Sequence, residues 1–305
     1  VHLAGRRARF RIAGEDLARR TLMPLTHLLD YDPSAAPRTA PELQVELFSG
    51  SETGVGLPFE PLQRGLYADG ERWLTQAEEG AVSCLDRETG VIVGWRAGNE
   101  VVIEEAWRTL AWIAPVWFLD HSVQVVHAGL VAHRGAGALI VGESGAGKST
   151  TSLACAAAGM QFLGDDHAGI EETSEGWVGH SVSCVGRIAS ATLAAHPSLA
   201  VGIEGGEVEE KTLIVVEPDR TQATAPIRLM VLLRLAVAAP AGQPKPTDAL
   251  KGFLPTSLTG IPGPSQERMA RLSRLVKTVP ARWLELDGSP EQAAAKVKRE
   301  LEEFG

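Results

Sequence analysis

Through its first hundred or so residues the chain sets short apolar segments, among them LQVELFSG (Leu43–Gly50) and GVIVGW (Gly90–Trp95), between turns rich in Gly and Pro. That pattern predicts a small mixed α/β domain. Residues Glu104–His121 (EEAWRTLAWIAPVWFLDH) carry apolar positions at helical spacing, with Pro115 placed to kink or end a helix. They read as a connector packed against a core. Phe48–Pro58 is glycine-rich, but no lysine or helix signal follows it, so it reads as a turn.

From His121 onward the pattern changes. VQVVHAGLVAH runs as one β-like segment, turns at RGAG and returns as ALIVG, which predicts a hairpin feeding a strand into a glycine-rich loop. A helix follows from Lys148 to Ala158, stopped by Gly159. Strands are expected at MQFLG (160–164), TLIVV (212–216), RLMVLLRL (228–235) and ARWLELD (281–287), and a helix over residues 265–279. The last helix opens with Ser289 as N-cap, Pro290 at the first helical position and Gln292 completing a capping box. By composition, Ile203–Lys211 and Ala238–Gly252 read as loops. The expected organisation is α/β, with residues 1–120 as a mixed α/β N-terminal domain and 121–305 as a second domain. No internal repeats are evident.

Composition narrows the partners. The formal charge is −9, and no Lys/Arg cluster or aromatic-interleaved basic stripe is present, which argues against nucleic acid. Cys84, Cys155 and Cys184 lie far apart without metal-ligand spacing and fit a reducing cytoplasm. The first twenty residues have scattered charges and no apolar core of a signal peptide. The longest apolar run, from Leu229, is broken by Arg234 and Pro240 and is too short for a bilayer. A soluble cytoplasmic protein is expected.

GESGAGKS, Gly142 to Ser149, fits G-x-x-x-x-G-K-S between an apolar strand and a helix, which is the context that motif needs. Gly142, Gly145 and Gly147 let backbone N–H groups point at phosphate oxygens, and the helix that starts near Lys148 adds its positive dipole end. The nucleotide-binding stretch is Gly142, Glu143, Ser144, Gly145, Ala146, Gly147, Lys148, Ser149 and Thr150. Lys148 is placed to neutralise the β- and γ-phosphates of ATP, and the Ser149 hydroxyl to ligate a bridging Mg2+. Seventeen and eighteen residues beyond Lys148 come Asp165 and Asp166, after a short apolar strand. Adjacent carboxylates at a strand end point apart, so one can hold metal while the other reaches an acceptor hydroxyl.

Together VHAGLV, GESGAGKS, the short helix ending at Gly159 and FLGDDHAGI resemble the C-terminal catalytic domain of HPr kinase/phosphorylase and its serine-kinase relatives, which share a phosphate-loop core with phosphoenolpyruvate carboxykinases. The resemblance spans roughly fifty residues. It implies a P-loop kinase domain over 121–305, with His127, Lys148 and Asp166 catalytic, Asp166 taking the proton from a serine hydroxyl, and Ser149 on magnesium. Asp165 falls on the metal side. The family's downstream E-[IV]-R-G-x-G signature is absent, and SVSCVGRIASATL occupies that region, so the resemblance carries kinase rather than phosphorylase activity.

Other residues have simpler roles open to them. His127 and His133 lie six apart on one β-like run and are expected on the same face. His167 reads as a turn residue, Arg187 and Lys211 as surface charges that could otherwise clamp phosphate, and His180 with Cys184 as too few ligands for a metal. The expected function is Mg2+-dependent transfer of the γ-phosphate of ATP to a hydroxyl, foremost a serine of a protein or peptide. A small hydroxylated metabolite as acceptor, and a non-kinase nucleotide-binding regulator, are the alternatives. The role of residues 1–120 is open between acceptor recognition and assembly, including a homo-oligomer.

Overall fold

The computed structural model describes residues 1–29, 42–57, 63–98, 110, 113–235, 243–257, 265–286 and 288–304. It is mixed α/β and divides into two compact units, Val1–His121 and Ser122–Gly305.

The first unit is built on a sheet of seven strands: β1 (His2–Leu3), β2 (Arg6–Ala13), β3 (Leu43–Ser49), β4 (Gly65–Asp69), β5 (Trp73–Glu78), β6 (Ala81–Asp86) and β7 (Val91–Arg96). Their order is β1-β2-β3-β7-β6-β5-β4, with β2, β3 and β7 parallel and the rest antiparallel. Side chains alternate across each strand, so Leu74, Leu85, Ile92 and Val45 form one cross-strand row on the inner face, each at most 4% exposed. The described part also holds α1 (Glu15–Leu22), a 3-10 helix over Met23–Leu28, α2 (Gly50–Thr53) and α3 (Ala114–Asp120).

One expectation changes here and a second is refined. The stretch from Phe48 read as a turn contains the single-turn helix α2, because the Ser49 hydroxyl accepts from the Glu52 N–H as an N-cap and Gly54 closes it at φ +70°; Pro58 lies outside the described residues. Pro115 opens a new helix, α3, after a helical Leu110 and a turn at Ile113. It sits in the first turn of α3, where its missing N–H costs nothing, and 104–109 and 111–112 of the expected connector lie outside the described residues.

The second unit holds β8 (Val123–Val126), β9 (Gly129–His133), β10 (Ala136–Val141), α4 (Lys148–Ala157), β11 (Gln161–Gly164), β12 (Ala168–Thr173), β13 (Gly176–Ser181), β14 (Val185–Ala189), α5 (Ser190–Ala195), β15 (Gly202–Val208), β16 (Lys211–Val216), β17 (Thr224–Leu235), α6 (Pro246–Ser257), α7 (Ser265–Thr278), β18 (Ala281–Leu286) and α8 (Pro290–Glu302). The main sheet runs β11-β9-β10-β17-β13-β12-β8, with β18 beside β17. Strands β10, β17 and β18 are parallel. Helices cover both faces: Ile140 and Val231 pack with Leu153 of α4 and Val297 of α8, and Leu139 and Met230 pack with Phe253 of α6 and Leu272 of α7. This explains why β10 reads as an unbroken apolar run. A smaller sheet, β14-β16-β15, stands apart from it.

Three loop and strand expectations are corrected. The run from Val123 to His133 is two strands, broken at His127–Ala128, because β8 pairs with β12 while β9 pairs with β10 and β11. Ile203–Lys211 is a hairpin: β15 pairs with the apolar β16 along its length, and cross-strand pairing outweighs a Gly/Glu-rich composition. Within Ala238–Gly252, residues from Pro246 onward form α6, whose Ala249 and Phe253, one helical turn apart, are fully buried; residues 238–242 lie outside the described residues. Among the described residues no helix is long and apolar enough to cross a membrane, and the run from Leu229 begins inside β17.

Candidate active site

Strand β9 lies between β10 and β11 and is antiparallel to both, with Ile140 opposite Gly129 and Gly164 opposite Leu130. The start of β9 therefore sits beside the ends of β10 and β11. His127, which precedes β9, the glycine loop that follows β10, and Asp165–Asp166, which follow β11, all gather at this one edge of the sheet. In open α/β sheets the carboxyl ends of parallel strands are where ligands bind.

The loop turns through Gly145 at φ +79° and Gly147 at φ +93°, left-handed geometry that glycine adopts without a Cβ penalty. Helix α4 begins at once, its first bond running from the Thr151 N–H to the Gly147 carbonyl at 2.9 Å. Glu143, Ser144 and Gly145 are exposed, while Gly142, Ala146, Gly147, Ser149 and Thr150 are half-buried. Lys148 is 5% exposed, and its ammonium donates to the carbonyls of Gly142 at 2.9 Å and Glu143 at 3.0 Å. Burial pushes its pKa down, against the pull of the Asp166 and Asp165 carboxylates.

Beyond β11 the chain doubles back so tightly that a Cβ on Gly164 would lie 2.7 Å from the His167 carbonyl oxygen. This bend turns the two aspartates into different surroundings. Asp165 is 2% exposed; its Oδ2 accepts from the Arg187 N–H at 3.0 Å, and its Oδ1 is buried with no hydrogen-bond partner. Burial, then the neighbouring charge of Asp166, pushes the Asp165 carboxyl up to about 7, against the Arg187 N–H, the Ser149 hydroxyl and Lys148. Asp166 is more open. Its Oδ1 lies 3.9 Å from His127 Nε2 and its Oδ2 3.5 Å from Arg187 Nη1. Burial lowers His127 to about 4, so its imidazole is neutral at pH 7.

The edge thus brings together His127, the loop with Lys148 and Ser149, Asp165 and Asp166. It does not gather His133, which lies 3.5 Å from Glu302; the break at His127–Ala128 ends the parity that put both histidines on one face. His180 bonds Glu171 at 2.9 Å, and His167 is exposed at the bend. Arg187, read from sequence as a surface charge that could otherwise clamp phosphate, belongs to this edge through both its backbone and its guanidinium. Its placement depends on β14 and left no local signal.

For a divalent cation, the buried and unpartnered Asp165 oxygen beside the Ser149 hydroxyl is a suitable hard-oxygen donor pair. Among the described residues no three His, Cys, Asp or Glu side chains converge as a metal-binding group. The remaining positions suit water and phosphate oxygens, the usual shell of Mg2+ at phosphoryl-transfer sites.

No family model matches this chain, and no curated protein does. Among solved structures it is similar to the Hpr(Ser) kinase/phosphatase from Coxiella burnetii, at 19% identity and a TM-score of 0.36, over 60% of this chain and 99% of that one. The chemistry of the site therefore follows from its own residues.

Proposed function

We propose that this protein is a phosphotransferase that moves the terminal phosphate of ATP to a hydroxyl, foremost a serine of a protein or peptide. The observation that carries this reading is the gathering, at one sheet edge, of a G-x-x-x-x-G-K-S loop and two unlike carboxylates, one buried and one open. The loop amides, the start of α4 and Lys148 hold and neutralise the phosphates. Ser149 and Asp165 hold Mg2+, which when bound offsets charge on the phosphate oxygens. Asp166 accepts the proton of the acceptor hydroxyl while that oxygen bonds to phosphorus and the bond to the leaving ADP oxygen breaks. His127, neutral beside Asp166, orients that carboxylate and can donate to a phosphate oxygen. Residues 1–120 govern acceptor choice or assembly in this scheme.

The test is incubation of the full chain with γ-labelled ATP, Mg2+ and an extract of its native host, followed by mass spectrometry of labelled products. Label on a serine or another hydroxyl that appears with wild type and not with Asp166→Asn supports the reading. Nucleotide hydrolysis with no labelled acceptor, unchanged by Asp166→Asn, overturns it in favour of a nucleotide-binding regulator.

A further inference from the structure

The small sheet beside the loop carries a second cation toward the site. In the antiparallel pair β14–β16, Arg187 stands opposite Leu213 and Ala189 opposite Lys211. Positions 187 and 189 share a face, as do directly paired residues, so Lys211 projects from the same side as Arg187. That side faces the aspartates, because the Arg187 guanidinium lies 3.5 Å from Asp166. One acid of the hairpin, Glu207, is turned elsewhere. Glu207 pairs with Thr212 on the opposite face, where Ser190 Oγ bonds both Glu207 at 3.1 Å and Thr212 at 3.0 Å. Among the described residues the Lys211 ammonium has no hydrogen bond or ion pair, whereas Arg187 is matched by Asp166. Lys211 also lies close enough to Lys148 for their charges to interact. An ammonium group without a partner, on the face that carries Arg187 toward Asp166, is stabilised by an anion it can approach.

Resting on the reading of the loop as an ATP site, we infer that Lys211 is a second phosphate-binding lysine, which engages the terminal phosphate of a nucleoside triphosphate together with Lys148. The loop amides serve the phosphates nearer the nucleoside, so Lys211 distinguishes a triphosphate from a diphosphate. Its contribution is a charge-assisted contact made only when that last phosphate is present.

The experiment is calorimetric titration of ATP–Mg and of ADP–Mg into the full chain, as wild type, Lys211→Gln and Lys211→Arg, with a thermal melt of each to establish folding. Loss of one such contact weakens ATP binding by about tenfold. The expected result is that loss in Lys211→Gln, with ADP affinity unchanged and the ATP preference restored in Lys211→Arg. An ATP-to-ADP affinity ratio in Lys211→Gln equal to that of wild type overturns the inference, whether both affinities fall together or neither does. If the wild type binds neither nucleotide, the parent reading of the site fails instead.

Discussion

The backbone N–H of Arg187 donates to Asp165 Oδ2 at 3.0 Å, so a strand outside the loop and its helix fastens the buried carboxylate in place. One hydrogen bond does not make that site comfortable for a negative charge, since burial raises the Asp165 carboxyl from about 4 in an unfolded chain to about 7. Between those values the native state holds a proton that the unfolded state has lost. The stabilising effect of this group is therefore full below about pH 4 and is lost as pH rises toward about 7.

Asp165→Asn removes that penalty and keeps an oxygen for the Arg187 N–H. In chelator-treated buffer it is expected to be more stable than wild type at pH 8, by up to a few kcal/mol, and no more stable near pH 4. Urea unfolding at both pH values checks this. An Asn variant less stable than wild type at pH 8 would contradict the environment described for Asp165.

Asp166→Asn keeps the size of the side chain but cannot take up a proton. Phosphate transfer is expected to fall by about 100- to 10,000-fold, with ATP affinity little changed. Single-turnover transfer beside nucleotide titration separates the two effects. Near-normal transfer in this variant alongside a dead Asp165→Asn would mean that the two carboxylates have exchanged roles.

Lys148→Ala removes the cation that the Gly142 and Glu143 carbonyls hold at the loop. Both nucleotide affinity and turnover are expected to drop, the latter by several kcal/mol of transition-state stabilisation, on the order of an electrostatic contact to transferring phosphate. Transfer that survives intact would remove the loop from the mechanism.

A fragment of residues 122–305 is expected to fold and bind ATP–Mg alone, because that unit contains its own two-faced core around the sheet. Circular dichroism and calorimetry test it. An insoluble fragment, or one blind to nucleotide while the full chain binds it, would place the boundary elsewhere.

Local punctuation made parts of this molecule legible. The helix that starts at Lys148 and stops before Gly159, and the terminal helix capped by the Ser289 hydroxyl on the Gln292 N–H, stand where glycine, serine and proline signals put them. What misled were segments whose structure is set by partners distant in sequence. Nothing between Val123 and His133 announces a break, because both strands are buried and mostly apolar; the break arises from pairing with β12 on one side and β10 on the other. The hairpin at Ile203–Lys211 draws its order from β16, and Arg187 reaches the aspartates only through the path of β14. The groups that the sequence assigned to one site, His127 and the Asp165–Asp166 pair among them, were found by motif, and the structure brings them to one sheet edge, whereas the positions of Arg187 and Lys211 needed topology.

His127, the loop and both aspartates fall within forty consecutive residues, 127 to 166, folded back and forth around β9. Segments closed by such short chain loops have low contact order and small closure entropy, and they are expected to form early. Arg187 and Lys211 join from a separate sheet further along the chain. Variation in that sheet can therefore retune what the site accepts while the segment 127–166, expected to form early, stays intact, which makes β14–β16 the natural place to look when related chains differ in their substrates.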